Sequence, residues 1–213
     1  MKTILCYGDS ITWGSVPAGR DRHEFADRWP NVLQGALGDQ ALVIAEGLRG
    51  RTTAYDEHLA DCDRNGARIL PTLLYTHAPL DLVILMLGSN DMKPAIAGTA
   101  VAATQGMRRL VEQVQLSALR DNSAEPPAVL IVAPPPLCET ANPLFGAMFA
   151  GRVEESRMLA SFYADLADEM GCGFFDAGSV AVASPIDGVH LDAANTRVIG
   201  RGMEPVVRMM LGL

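Results

Sequence analysis

The amino-acid sequence predicts an α/β fold in which a five-stranded parallel sheet is covered by helices on both faces. Five short apolar segments occur along the 213 residues, and each is followed by a longer segment with helical periodicity. Several of the short segments are apolar at successive positions, which is typical of strands buried on both faces. Because strands alternate with helices, the connections are expected to be right-handed crossovers between parallel strands.

The predicted elements follow one another in a regular order. The strands are the segments TILCY, ALVIA, LVILML, VLIVA and GFF, at residues 3–7, 41–45, 82–87, 129–133 and 173–175. The helices are the periodic segments that follow them, at residues 29–37, 68–77, 100–120, 153–170 and 193–210. Residues 122–127 (NSAEPP) are expected to form the loop before the fourth strand. The chain shows no internal repeat or low-complexity segment, so residues 1–213 are expected to form one domain.

The composition excludes several classes of function. A formal charge of −8 and a pI of about 4.9 argue against nucleic-acid binding, which needs clustered lysine and arginine. Since there is no basic run, no long apolar segment and no signal-peptide core, we expect no membrane association and a cytoplasmic protein. The four cysteines are scattered, and are expected to be buried thiols instead of a disulfide framework or a zinc site.

One proline-rich segment, residues 134–151 (PPPLCETANPLFGAMFAG), is expected to be a long loop. It carries Leu144, Phe145, Met148 and Phe149, which would expose a large apolar area unless something covers them. Three arrangements remain open: the segment is a wall of a substrate pocket, it lies in a subunit interface, or it folds onto its own domain. The interface is slightly favoured, which predicts a homo-oligomer.

Polar motifs follow four of the predicted strands. They are GDS at residues 8–10, EGLRGRTT at 46–53, GSND at 88–91 and, after a short loop beyond the last strand, DGVH at 187–190. In an open α/β sheet, ligands bind beyond the carboxyl ends of the strands. The four motifs are therefore expected to meet at one edge of the sheet.

The residue types in these motifs are those of an acyl-transfer site. Ser10 is a nucleophile once His190 takes its proton, and Asp187 can hold the imidazole in the right tautomer. The oxyanion of a tetrahedral intermediate needs fixed hydrogen-bond donors. The backbone N–H groups of Ser10 and Gly50 and the side-chain amide of Asn90 are the candidates.

Each of these residues also has a purely structural interpretation. Asp9 or Ser10 could cap a helix, and Asn90 could stabilise a turn. The presence of all four motifs favours catalysis for Ser10 and a functional role for Asn90, whereas Asp91 is expected to give structural support.

Other polar and aromatic residues are less informative. Trp13 either packs in the core or lines an acyl or alcohol pocket, with no preference between the two. Arg49 and Arg51 could contact an anionic substrate, although solvated surface arginines are favoured. The acidic residues and histidine at 58–63 fit no zinc pattern and are interpreted as a solvated face, so no metal is expected.

Together the four motifs resemble the conserved blocks of the SGNH (GDSL) hydrolase family, in the family's order and over residues 8–190. The segments LCYGDSITWG, EGLRGRTT, APPPL, FFDAGS and DGVH are similar to its bacterial arylesterase/acyltransferase branch. The resemblance implies a flavodoxin-like three-layer α/β/α sandwich around a five-stranded parallel sheet. It also implies an oligomer, hydrolysis of small-molecule esters and no metal or organic cofactor. The chain departs from the pattern at Glu46, where many members have asparagine.

The motifs and the resemblance together predict a serine esterase. The resemblance implies that its substrates are short-chain acyl and aryl esters and that it also transfers acyl groups to alcohols or peroxide. The alternative is a carbohydrate acetylesterase, which would need an open, polar cleft instead of an apolar channel. A lysophospholipase or thioesterase and an inactive ligand-binding relative are less favoured. An α/β-hydrolase is disfavoured, because no serine lies in a Gly-x-Ser-x-Gly motif.

Overall fold

The computed structural model describes residues 1–117 and 125–213. Its centre is a parallel sheet of five strands in the order β2-β1-β3-β4-β5. The strands are β1 (Lys2–Gly8), β2 (Ala41–Gly47), β3 (Leu82–Met86), β4 (Ala128–Ala133) and β5 (Gly173–Asp176). The predicted five-stranded parallel sheet is therefore confirmed, with each strand close to its predicted position.

Helices cover both faces of this sheet. In chain order they are α1 (Ser10–Trp13), α2 (Trp29–Leu37), α3 (Gly66–His77), α4 (Ala100–Gln115), α5 (Pro143–Met148), α6 (Val153–Arg157), α7 (Leu159–Met170) and α8 (Ala193–Leu211). Helices α2 and α8 pack on one face, whereas α3, α4 and α7 pack on the other. This is the predicted three-layer α/β/α arrangement.

Two cores, one on each face of the sheet, explain why the strands are continuously apolar. Leu5 and Tyr7 of β1 point into the core under α3, α4 and α7, whereas Ile4 and Cys6 point into the core under α2 and α8. Every side chain of β3 is buried. Since successive side chains of a strand point to opposite faces, a strand between two cores needs apolar residues at every position.

One predicted helix is divided into two. The segment at residues 153–170 forms α6 and α7, which are separated at Met158. There the N–H of Met158 donates to the carbonyl of Glu155, three residues earlier, at 3.1 Å. Such an i→i+3 bond is typical of a 3₁₀ turn and tightens the last turn of a helix. The prediction of one continuous helix is therefore wrong.

The segment at residues 134–151 is not a loop throughout, because α5 lies within it. The side-chain oxygen of Asn142 accepts the N–H groups of Leu144 and Phe145 at 3.1 and 3.2 Å and so caps this helix. Pro143 occupies the first turn, where its missing N–H has no intrahelical partner to lose. The dipeptide Asn142-Pro143 is a helix-start signal that the sequence already contained.

The part of the chain before β4 is only partly described. The helix predicted at residues 100–120 is present as α4 up to Gln115. Residues 118–120 of that prediction, and residues 122–124 of the predicted loop, lie outside the described residues. Among the helices that are described, none has both the length and the apolar character that crossing a membrane requires.

The order of the strands decides where a site can form. From β1 the chain first adds β2 on one side and then crosses to β3 on the other side. Ligands of open α/β sheets bind at such a switch point, beyond the carboxyl ends of the strands. The residues that follow β1 and β3 are Asp9-Ser10 and Gly88–Asp91, which are two of the four predicted motifs.

Gly47, the last residue of β2, lies directly against α1. A Cβ atom at this position would be 2.6 Å from the Cα of Trp13. Because that neighbour is a backbone atom, the clash could be relieved only by moving α1. We therefore expect Gly47→Ala to lower the free energy of unfolding by about 1–3 kcal/mol, measured by denaturant unfolding.

The matched control is Gly35→Ala in the last turn of α2, where a Cβ atom would meet no atom within 4 Å. Alanine is the better helix former, so this variant is expected to raise the free energy of unfolding by about 0.5–1 kcal/mol. A Gly47→Ala protein as stable as the wild type would show that α1 does not pack against β2 as described.

Candidate active site

Ser10 is the first residue of α1 and follows β1 after a single intervening residue. That residue, Asp9, caps the helix, because its Oδ1 accepts the N–H of Ile11 at 2.9 Å. Strand β1 is paired on both sides, so the turn that carries Ser10 is fixed relative to the sheet. Ser10 is 6 % exposed and lines a cleft at this edge of the sheet. The helix-cap interpretation thus applies to Asp9 and leaves the hydroxyl of Ser10 available.

His190 lies beside Ser10, although the two are far apart in the sequence. Its Nε2 is 3.0 Å from Oγ of Ser10, and its Nδ1 is 2.7 Å from Oδ2 of Asp187. Since an ionised carboxylate can only accept hydrogen bonds, Nδ1 carries the ring proton, and Nε2 is left to accept the hydroxyl proton of Ser10. The three side chains form a hydrogen-bonded chain of hydroxyl, imidazole and carboxylate.

Four N–H groups hold the carboxylate of Asp187. Its Oδ1 accepts the backbone N–H groups of Val189 and His190, and its Oδ2 accepts the backbone N–H of Ala18 and the His190 ring. Burial by itself would raise the pKa of Asp187, but these hydrogen bonds outweigh it and lower the pKa to about 2. The carboxylate is therefore ionised near neutral pH, where it can orient the ring and stabilise its protonated form.

Asn90 and Gly50 line the same cleft as Ser10. The Nδ2 of Asn90 donates to Oδ2 of Asp9 at 3.3 Å and to the carbonyl of Arg51 at 3.2 Å. Gly50 has a φ of 81°, which side-chain-bearing residues rarely adopt, so the turn after β2 favours glycine at this position. The structure thus brings the three residues predicted to supply oxyanion donors to one cleft, beside the Ser10 hydroxyl that contacts His190.

The sequence profile of the GDSL-like lipase/acylhydrolase family matches residues 6–197, a range that contains all of these site residues. The chain belongs to this family. The predicted resemblance to SGNH (GDSL) hydrolases is thereby confirmed, as is the prediction of a carboxylic ester hydrolase. No curated protein matches the sequence at a significant level.

Solved structures of GDSL esterases are similar to the chain over its whole length. A carbohydrate acetylesterase family member from Sinorhizobium meliloti is 68% identical, with 100% of both chains covered and a TM-score of 0.98. A second carbohydrate acetylesterase from that organism is 39% identical and has a TM-score of 0.94. The aryl esterase of M. smegmatis is 42% identical and also has a TM-score of 0.94. In the last two comparisons, 99% of this chain and 100% of the other are covered.

The cleft of this GDSL esterase has a volume of about 650 Å³, and α5 contributes its apolar wall. Phe145, Met148 and Phe149 line it, and the ring of Phe145 meets that of His190 edge-on at 5.7 Å between centroids. Of the three arrangements open for residues 134–151, the structure contains two: a pocket wall and packing onto the same domain. The subunit interface stays a prediction, and Leu144 of this segment is 66% exposed.

Trp13 lines the cleft and belongs to neither of the two cores. Two guanidinium groups lie over its ring, that of Arg22 at 4.8 Å and that of Arg49 at 5.4 Å from the ring centroid. These are cation–π distances. The pocket interpretation of Trp13 therefore fits its position, and the core interpretation does not.

Arg51 is not the solvated surface residue that the sequence analysis favoured. It is 4% exposed, and its guanidinium donates to the carbonyls of Gly8 and Glu46. The same group lies 4.0 Å from the centroid of the Tyr7 ring. Arg51 thus ties together the ends of β1 and β2 under the site and does not reach the cleft.

Two buried carboxyl groups lie next to Asn90. Burial raises the pKa of Asp9 to about 6, although the N–H of Ile11 and the nearby His190 oppose the shift. Burial also raises the pKa of Asp91 to about 6, against the hydrogen bonds that Asp91 accepts from the N–H and hydroxyl of Thr53. These contacts agree with the structural support predicted for Asp91.

Several residues of the cleft were not identified from the sequence. Arg20, Arg64 and Lys93 line it from three separate loops, and no local pattern marked them. Cys62 is exposed and also lines the cleft, so the expectation of a buried thiol is wrong for this residue. Cys6, by contrast, is buried in the core as expected.

Proposed function

We propose that the protein is a serine esterase that removes acetyl and other short acyl groups from the hydroxyls of carbohydrates. In this proposal Ser10 is the nucleophile, His190 is the general base and then the general acid, and Asp187 orients His190. The observation that supports a serine esterase mechanism is the 3.0 Å contact between Nε2 of His190 and Oγ of Ser10. This is the distance at which a base can take the proton of a serine hydroxyl.

In the first half of the reaction, Oγ of Ser10 attacks the ester carbonyl carbon while its proton passes to Nε2 of His190. The carbonyl oxygen becomes an oxyanion, to which the N–H groups of Ser10 and Gly50 and the amide of Asn90 donate. The two hydrogen bonds of the Asn90 amide are long, at 3.2 and 3.3 Å, so one N–H can turn to the oxyanion at little cost. The tetrahedral intermediate collapses, and the leaving alcohol takes the proton from Nε2.

In the second half, a water molecule gives a proton to Nε2 of His190 and attacks the acyl group on Ser10. A second tetrahedral intermediate forms in the same oxyanion hole and releases the acid, and the proton returns to Oγ of Ser10. An alcohol that replaces the water would yield a new ester. The predicted acyltransferase activity needs no residue beyond those of hydrolysis.

Two features support a carbohydrate as the alcohol. Charged and hydrogen-bonding side chains line the cleft together with the apolar residues of α5. A sugar needs such partners, because its hydroxyl groups lose water when they bind. In addition, two relatives that cover the whole chain, one of them 68% identical, are described as carbohydrate acetylesterases.

Aryl esters are the second candidate substrates. The apolar wall and Trp13 could hold an aromatic leaving group, and a relative of 42% identity is an aryl esterase. Aryl esters were the main expectation from the sequence, and the polar residues that line the cleft are the reason to place the carbohydrate first.

The test compares kcat/KM for acetylated glucose, phenyl acetate and phenyl esters of longer acids, each relative to its uncatalysed hydrolysis. We expect the sugar acetate to be the better substrate, and kcat/KM to fall by about 10-fold or more from acetyl to hexanoyl esters. A higher rate enhancement for phenyl acetate than for any sugar acetate would overturn the proposal in favour of an arylesterase.

Two earlier expectations, the homo-oligomer and the cytoplasmic location, stay predictions.

A further inference from the structure

Basic side chains line the active-site cleft, although the protein as a whole is acidic. Arg20, Arg49, Arg64 and Lys93 line the cleft, and Asp61 is its one acidic lining residue among those described. The chain has a formal net charge of −8. A cationic cleft attracts anions even though the net negative charge of the protein repels them. The walls of a cleft focus the local electric field and so strengthen this attraction.

Two of the four cations have acidic partners. Arg64 lies 3.4 Å from Glu57 and 3.2 Å from Asp61, and Lys93 lies 3.6 Å from Glu57. These contacts place the charges of Arg64 and Lys93 within a small ion-pair network. Arg64 and Lys93 therefore need no further anion to explain their positions.

The other two cations, Arg20 and Arg49, are left without such partners. Within residues 1–117 and 125–213, no carboxylate lies within 4.0 Å of either guanidinium. Among these described residues, the Arg49 side chain has one hydrogen bond, which it donates to the carbonyl of Gly19 at 3.5 Å. Most donors of these two guanidinium groups are thus available to a ligand.

The indole of Trp13 positions Arg49. The guanidinium carbon lies 5.4 Å from the centroid of the ring, on which Arg22 also lies at 4.8 Å. Arg22 is held in turn, because its Nε donates to the carbonyl of Trp13 at 2.5 Å. A guanidinium over an aromatic ring loses little freedom when it binds a carboxylate or phosphate with two parallel N–H groups.

We propose that the cleft selects an anionic saccharide, whose carboxylate or phosphate is bound by Arg20 and Arg49 while its acetyl ester lies at Ser10. This inference rests on the proposed carbohydrate esterase function and narrows its substrate class. The apolar side chains of Phe145 and Met148 line the same cleft, and the acetyl methyl group can pack against them. The favoured substrate is then an O-acetylated acidic sugar, not a neutral one.

The test uses a matched pair of substrates that differ only in charge: mono-O-acetylated methyl glucuronoside and the corresponding neutral glucuronamide. For the wild-type enzyme, kcat/KM is expected to be about 10-fold higher for the glucuronoside, the effect of one charge-assisted contact. The ratio should fall as salt is added, because salt screens exposed charges. O-acetylated glucose 6-phosphate is the third substrate, and a larger preference for it would identify the bound group as a phosphate.

The variants are Arg20→Gln/Arg49→Gln together and, as a control, Arg157→Gln. Arg157 is an exposed arginine on α6 that pairs with Glu154 and does not line the cleft. The double variant is expected to bring the ratio of the two kcat/KM values close to one, whereas the control keeps the wild-type ratio. A wild-type ratio near one, or an unchanged ratio in the double variant, overturns the anionic preference and leaves the esterase proposal standing. Hydrolysis of phenyl acetate without hydrolysis of any sugar acetate overturns both.

Discussion

Replacing Ser10 with alanine is expected to lower kcat for p-nitrophenyl acetate by about 10⁴-fold or more. The variant lacks the hydroxyl that forms the acyl-enzyme in the proposed mechanism, while His190 and Asp187 keep their 2.7 Å contact. The loss is expected in kcat and not in KM, because the hydroxyl makes its bond in the transition state. Steady-state kinetics of p-nitrophenol release measure both constants.

The control for this variant is Ser179→Ala. Ser179 is exposed in the short 3₁₀ turn that follows β5, where its hydroxyl donates to the carbonyl of Asp176, and it does not line the cleft. It is expected to keep the wild-type kcat. Turnover of Ser10→Ala at the wild-type rate would show that another residue is the nucleophile, and the mechanism would then be wrong.

Replacing Asp187 with asparagine is expected to lower kcat by about 10³–10⁴-fold. All four hydrogen bonds at this carboxylate are donated to it, two at each oxygen. The amide nitrogen of asparagine must therefore face two N–H donors in either orientation. If the amide nitrogen faces Nδ1 of His190, the ring proton moves to Nε2. A protonated Nε2 can no longer accept the proton of Ser10.

A lower kcat could also arise from local unfolding, so the melting temperature is measured beside the kinetics. Asp168→Asn on the exposed side of α7 removes the same charge and is expected to change neither quantity. If Asp187→Asn keeps its fold and loses less than about 10-fold in kcat, Asp187 does not position His190 as proposed.

The strands of this protein were predictable because their signal is local. Residues 82–87 are apolar without interruption, and burial on both faces of a sheet is the ordinary cause of such a run. The helix at residues 143–148 has a local signal as well, the dipeptide Asn142-Pro143, but the prolines at residues 134–136 favoured a loop for the whole segment. The break at Met158 had no such signal, because the periodicity of α6 continues into α7.

The candidate site was predictable to the extent that its residues lie at the ends of strands. Ser10 and Asn90 follow β1 and β3, and any parallel sheet brings the carboxyl ends of its strands to one edge. Asp187 and His190 are three residues apart, so their contact also depends mainly on local geometry. For these residues the order of motifs along the chain was enough to predict that they meet.

The directions of the Arg49 and Arg51 side chains were not predictable from the sequence. They are two residues apart in one turn, yet Arg51 is buried under the ends of β1 and β2 and Arg49 lies over Trp13 in the cleft. Ala18 likewise donates to Asp187 from a loop that no sequence pattern links to it.

The sequence by itself therefore determined the fold class, the family and the residues of the hydrogen-bonded chain, because periodicity and short motifs express them locally. Only the tertiary structure decided that Arg20 and Arg49 line the cleft and that Arg51 supports the turn after β1. It also decided that α5 packs against His190 through Phe145. These properties depend on contacts between residues far apart in the chain. The direction of a long side chain is set by the neighbours that the fold supplies, and not by the residues beside it in the sequence.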